Sequence, residues 1–117
     1  MIQKEYRVIK IGTEDELLID FKDEKYELLS NFLESDVQSF EIWIKMAFDK
    51  VLFGGSEHEE VNGNVCCAEI SFKTTKIFDN LAEDAMGNWC EVDTKELRNI
   101  IEEWCYEVKK FKEEHNN

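Results

Sequence analysis

The sequence predicts an α+β fold, a single domain over residues 1–117 with an antiparallel sheet packed against a long C-terminal helix. Three observations predict it. The stretch Asp93–Phe111 (DTKELRNIIEEWCYEVKKF) repeats apolar residues at three- and four-residue steps, the period of an amphipathic helix. Tyr6–Ile11, Leu17–Phe21 and Val65–Phe72 are short runs rich in β-branched and aromatic residues. No proline, repeat, low-complexity tract or linker divides the chain, so strands and helices share one core.

Taken in order, Tyr6–Ile11 and Leu17–Phe21 flank the turn Gly12-Thr13-Glu14-Asp15 and read as an N-terminal hairpin. Lys22–Glu24 breaks the second strand. Tyr26, Leu29, Phe32 and Leu33 then stand at helical spacing, so Lys25–Leu33 reads as a short helix. Ser39–Asp49 supports two readings. As a strand, Phe40, Ile42, Ile44, Met46 and Phe48 alternate with Glu41, Trp43, Lys45 and Asp49. As a helix, Phe40, Trp43, Ile44, Ala47, Phe48, Val51 and Leu52 make a stripe, with Ser35 and Gln38 as a capping box. The strict alternation and aromatic content favour the strand. Gly54–Asn64 reads as a polar loop ending in a turn, Val65–Phe72 and Lys76–Phe78 as strands, and Leu81–Trp89 as an irregular acidic connection. In the last helix Leu97, Ile100, Ile101, Trp104, Cys105, Val108 and Phe111 share a face. Asp93 caps its start with Glu96 three places on, and Lys109, Lys110 and Lys112 complement its C-terminal dipole. The expected order is β-β-α-β-β-β-α.

Charge narrows the partner. The chain carries 14 basic and 27 acidic residues, a formal charge of −13. Nucleic acid and anionic membrane surfaces repel such a molecule, whereas a basic protein partner attracts it. Lys4, Glu5, Arg7 and Lys10 interrupt the first ten residues, which therefore do not read as a signal peptide, and no apolar run reaches membrane-spanning length. A cytoplasmic location follows as the expectation, with Cys66, Cys67, Cys90 and Cys105 as reduced thiols.

The sequence names no reaction. Glu57-His58-Glu59-Glu60 offers an imidazole and carboxylates for a divalent cation or for acid–base work. However, sequence-adjacent ligands seldom converge, and no second histidine stands at a metal-helix spacing. The solvated acidic loop is the better reading, with no metal and no cofactor. There is no CxxC pair, no GxSxG elbow and no phosphate-cradling glycine loop, so no catalytic residue is assigned. Trp104 lies on the helix stripe and belongs to the core. As a strand residue Trp43 shares a face with Glu41 and Lys45, and Trp89 is flanked by Gly87, Asn88 and Cys90. An exposed aromatic ringed by acids is what a hot spot for a basic partner looks like, although closing the edge of a small core is the commoner role for each taken singly. The candidate partner-binding residues are Glu57, Glu59, Glu60, Trp43, Glu83 and Asp84, with Glu14–Glu16 a further acidic cluster.

A small, strongly acidic α+β domain that ends in the acid-capped helix EVDTKELRNIIEEWCYEVKKF resembles the immunity proteins of bacterial polymorphic-toxin and contact-dependent growth inhibition systems. The resemblance implies a stoichiometric inhibitor of a toxin domain, often a nuclease, whose phosphate-holding basic surface an acidic partner finds quickly. It carries no residue-level motif. Two other classes remain open: an acidic nucleic-acid mimic that regulates a DNA-binding protein, and a small metal-dependent enzyme built on the Glu57–Glu60 loop.

Overall fold

Gly12 and Thr13 close the first hairpin, between β1 (Lys4–Ile11) and β2 (Glu14–Phe21). Ile11 pairs with Glu14, leaving a two-residue loop in which Gly12 takes φ 66°. A positive φ at the first loop position suits the twist of the flanking strands and is open to glycine at little cost. The computed structural model describes residues 2–81 and 88–115.

After the hairpin Asp23 accepts a hydrogen bond from the Lys25 amide (3.1 Å) and starts a continuous helical region. It passes from a 3-10 turn into α1 (Glu27–Asn31) and then into a wider π-helical segment, Phe32–Val37. The segment expected to end at Leu33 thus continues beyond it. Its wide turn anchors three other parts of the chain. The Leu33 carbonyl accepts the Trp104 indole N–H (2.8 Å), Glu34 accepts the Ile19 amide (3.0 Å), and Asp36 accepts the amides of Asn64 (2.7 Å), Val65 (3.1 Å) and Cys66 (2.7 Å).

Ser39–Asp49 is not a strand. From Glu41 on it belongs to α2 (Glu41–Leu52), whose buried face is Ile44, Ala47, Phe48 and Val51. The strand reading needed Ile42 and Met46 on the same side as Ile44; they are 75% and 54% exposed. The apolar pattern runs past the nine alternating residues to Val51, a length that suits a helix better than a strand. The Ser35–Gln38 box is not used either, because both residues are already inside the preceding helical region and Phe40 stands at the start of α2.

The remaining strands are β3 (His58–Asn62), β4 (Cys66–Ser71), β5 (Thr74–Asp79) and β6 (Trp89–Asp93). They form an antiparallel sheet in sequence order, separate from the hairpin. The antiparallel β-structure is therefore divided between two sheets. Two strands lie where connections were expected: β3 inside the polar Gly54–Asn64 segment, and β6 just before the last helix. Both are short edge strands with only one or two apolar residues facing inward, which leaves a weak alternation in sequence.

α3 (Thr94–His115) matches the expected C-terminal helix and extends it. Asp93 accepts the Glu96 amide (2.9 Å) as an N-cap should. Glu96 does not return the bond; its carboxylate accepts the Ile2 amide (2.9 Å) and ties down the N-terminal segment. Leu97, Ile100, Ile101, Trp104 and Val108 are buried, and Cys105 and Phe111 are partly exposed. Helix α1 packs on β2 and β5, and α3 on β2, β5 and β6, so these two helices lie between the two sheets, while α2 packs on β3 and β4. Tyr6 of the hairpin stacks on Trp104, with ring centroids 6.3 Å apart. One cluster of buried side chains draws on β2, all three helices and the four-stranded sheet. Among the described residues no buried side-chain N or O atom lacks a hydrogen-bond partner.

Candidate functional site

The acidic run that looked like one cluster is divided by β3. His58 and Glu60 point to one face of this edge strand, and Glu59 to the other. Glu59 accepts a hydrogen bond from Ser56 Oγ (3.0 Å), which also donates to the His58 carbonyl (2.8 Å). His58 Nδ1 lies 3.3 Å from Ser71 Oγ across the strand pair. Glu57 is exposed just before the strand. The imidazole and carboxylates are therefore not presented together as the loop reading required. Among the described residues, no three His, Cys, Asp or Glu side chains gather in a way that would hold a metal ion.

Trp43, expected on a strand face, stands in the first turn of α2, 48% exposed and edge-on to Phe40 (5.8 Å). Glu57–Glu60 follow the other end of that helix. The two are separated by most of its length, at about 1.5 Å per residue, and do not share a site. Glu83 and Asp84 lie outside the described residues.

Instead, the structure brings acids and aromatics together on the four-stranded sheet. Cys66, Ala68, Ile70, Ile77, Cys90 and Val92 face the helices and are buried. The alternate residues point outward, and among the described residues no element covers them. Register then assembles two outward rows. One is Glu60–Glu69–Lys76–Glu91 and the other is Asn62–Cys67–Phe78–Trp89. Phe78 and Trp89 stack with centroids 6.2 Å apart, Trp89 is 46% exposed, and Lys76 Nζ sits 5.5 Å from the centre of the indole. Among the described residues, none of Glu60, Glu69 and Glu91 is in an ion pair with a side chain of its own protein. Trp89, expected in a connection, stands at the start of the edge strand β6. Its neighbours Glu69 and Glu91 were missed because they come together only through strand register, which a sequence without β6 does not reveal.

A second surface lies on α2, the helix at the flank of the helical layer. Ile42, Met46 and Phe53 (83% exposed) point away from the core, and Phe53 and Phe72 line a groove with Leu52, Lys95 and Arg98. Several charges here are paired within the protein. Lys45 bonds to Glu41 and Glu102 (both 2.8 Å), and Arg98 to Asp49 (2.9 Å). Burial alone would lower the Lys45 pKa, but the hydrogen bonds to Glu102 and Glu41 outweigh it and raise it. The Lys45 bond correspondingly lowers the pKa of Glu102.

The cysteines are poorly suited to nucleophilic work. Burial, reinforced by Asp36, pushes the Cys66 thiol up to about 12. Burial likewise raises Cys67, Cys90 and Cys105 to about 11, and Glu60 adds to the effect at Cys67. At neutral pH all four stay protonated, and a thiol is a far weaker nucleophile than a thiolate. Among the described residues no helix is long and apolar enough to cross a membrane.

The molecule is thus a small acidic α+β protein with exposed aromatic side chains on its four-stranded sheet and beside α2. An immunity protein of Bacillus cereus is 40% identical to this chain over 93 residues, which cover 80% of this chain and 80% of that protein. The chain belongs to that immunity-protein family. No family model matches it, and no solved structure matches it significantly.

Proposed function

We propose that this protein neutralises a cognate bacterial toxin by binding it one to one, and that the toxin domain is a nuclease with a basic surface. Kinship with the Bacillus cereus immunity protein carries the reading. The charge of −13 supports a basic target. A nuclease must hold phosphates with Lys and Arg, and an acidic protein associates with such a surface quickly and excludes the substrate from it. Inhibition then needs occupancy and no turnover. The protein acts in the cytoplasm, where a toxin nuclease reaches nucleic acid.

The test is co-expression with the toxin domain encoded beside this gene in its native host. The intact protein should restore growth. With purified components, nucleic-acid cleavage should stop at one equivalent of inhibitor, and calorimetry should give a 1:1 complex. Cells that die despite abundant folded protein would overturn the immunity reading. Protection from a toxin that leaves nucleic acid intact would overturn the nuclease part alone.

A further inference from the structure

We infer that the open face of the four-stranded sheet is the surface that receives the toxin, and that a basic segment of the toxin docks there with a cationic side chain over Trp89. The inference rests on the immunity reading above and adds a location and a contact to it.

Of the two uncovered faces, the sheet has the electrostatics for such a guest. On the α2 flank Lys45, Glu102, Arg98 and Asp49 answer one another, and the other exposed groups include apolar side chains and the cations Lys50 and Lys95, which would repel a basic guest. On the sheet, Glu69 and Glu91 flank the Phe78–Trp89 pair and Glu60 extends their row, and among the described residues none of the three has an ion-pair partner. One cation, Lys76, stands in the same row between Glu69 and Glu91, with its ammonium over the indole. The indole thus already holds a cation in the geometry that a partner's Lys or Arg would adopt. An arginine is the better guest, because its planar guanidinium can stack on the ring and bond a flanking carboxylate together. Lys76 has a flexible stem and lies exposed, so it can swing aside.

The face also has the right scale. Four strands about 4.8 Å apart and five or six residues long, at about 3.3 Å each, present roughly 19 by 18 Å. That is room for the desolvated centre of an interface, with neighbouring loops supplying the rim.

The experiment measures binding kinetics of the purified adjacent toxin domain, made inactive by mutation, against variants of the intact chain. Trp89→Ala should weaken binding about 30-fold, whereas Trp89→Phe should retain most of it. The double variant Glu69→Gln and Glu91→Gln, which leaves the core untouched, should slow association several-fold and flatten its salt dependence. Lys76→Ala removes the competing cation and should speed association roughly twofold, a gain that a purely structural role for Lys76 would not produce. Ile42→Ala and Met46→Ala on α2 should bind like the parent. Normal binding by the sheet variants, with loss in the α2 variants, would overturn the location and leave the immunity function standing. No binding by the parent protein would remove both.

Discussion

Asp36 joins parts of the chain that lie about thirty residues apart in sequence. Its carboxylate is fully buried and accepts three successive amides, those of Asn64, Val65 and Cys66, where the chain turns from β3 into β4. Gly63 stands so close that a Cβ there would lie 2.3 Å from the Asp36 Cγ. The turn therefore needs the acid to satisfy its donors and the glycine to let the acid approach. Orphaning a buried amide costs about 1–3 kcal/mol. Asp36→Ala should therefore lower stability by about 3–5 kcal/mol in denaturant unfolding, after allowing for water reaching the two outer amides. Gly63→Ala should cost about 1–3 kcal/mol by overpacking the same spot. Two variants that melt like the parent would show that the contact carries little of the fold.

At the scale of elements, α2 and α3 differ in how plainly they declare themselves. α3 has a single clean stripe, an acidic cap and basic residues at its end, and each cue points the same way. Trp104 fills the centre of its buried face, stacked on Tyr6 and bonded to the Leu33 carbonyl. Trp104→Ala should cost about 3–5 kcal/mol by calorimetry, enough to unfold many small domains. α2 fits both periods, and its two readings make opposite demands on four side chains. A strand would bury Ile42, Ile44, Met46 and Phe48 together, whereas the helix buries only Ile44 and Phe48. Accordingly, Ile44→Ala and Phe48→Ala should each cost about 2–5 kcal/mol, and Ile42→Ala and Met46→Ala less than about 0.5 kcal/mol. Equal losses at all four positions would contradict the helix.

For the whole molecule, the thiols report on the integrity of the core. Cys66 and Cys90 face inward from the sheet, and Cys105 is half-covered beside α2. All four thiols are raised in the folded protein from 9.0, to about 11 or 12. The folded state thus keeps protons that the unfolded chain gives up. Their contribution to stability is whole below about pH 9 and drains away as pH rises toward 11–12. The melting temperature should fall above pH 9, and a Cys66→Ala variant should show a shallower fall. In protein prepared without oxidant, native alkylation at pH 8 should be slow, and denaturation should release four reactive cysteines to mass analysis. A persistent Cys66–Cys67 bridge would contradict this, since the two side chains leave the strand on opposite faces.

Some of this was decided locally, by forces that act within a few residues. The hairpin followed from β-rich runs around a glycine turn, and the C-terminal helix from its 3.6-residue stripe and its cap. The α+β class followed from the two together. The immunity resemblance needed only the charge, the size and the ending of the chain. Where local forces balanced, tertiary structure decided. Ser39–Asp49 became a helix because the four-stranded sheet offers a surface for Ile44, Ala47, Phe48 and Val51 and leaves the opposite side to solvent. His58–Glu60 became the start of an edge strand because β4 supplied the backbone partners, and pairing sent Glu59 and Glu60 to opposite faces. The aromatic ringed by acids was legible as an idea, but its members were not. Glu69, Lys76, Phe78, Trp89 and Glu91 meet only through the register of three strands. Register is set by burying the other face of the sheet against the helices, a condition on the whole molecule and not on any stretch of its sequence.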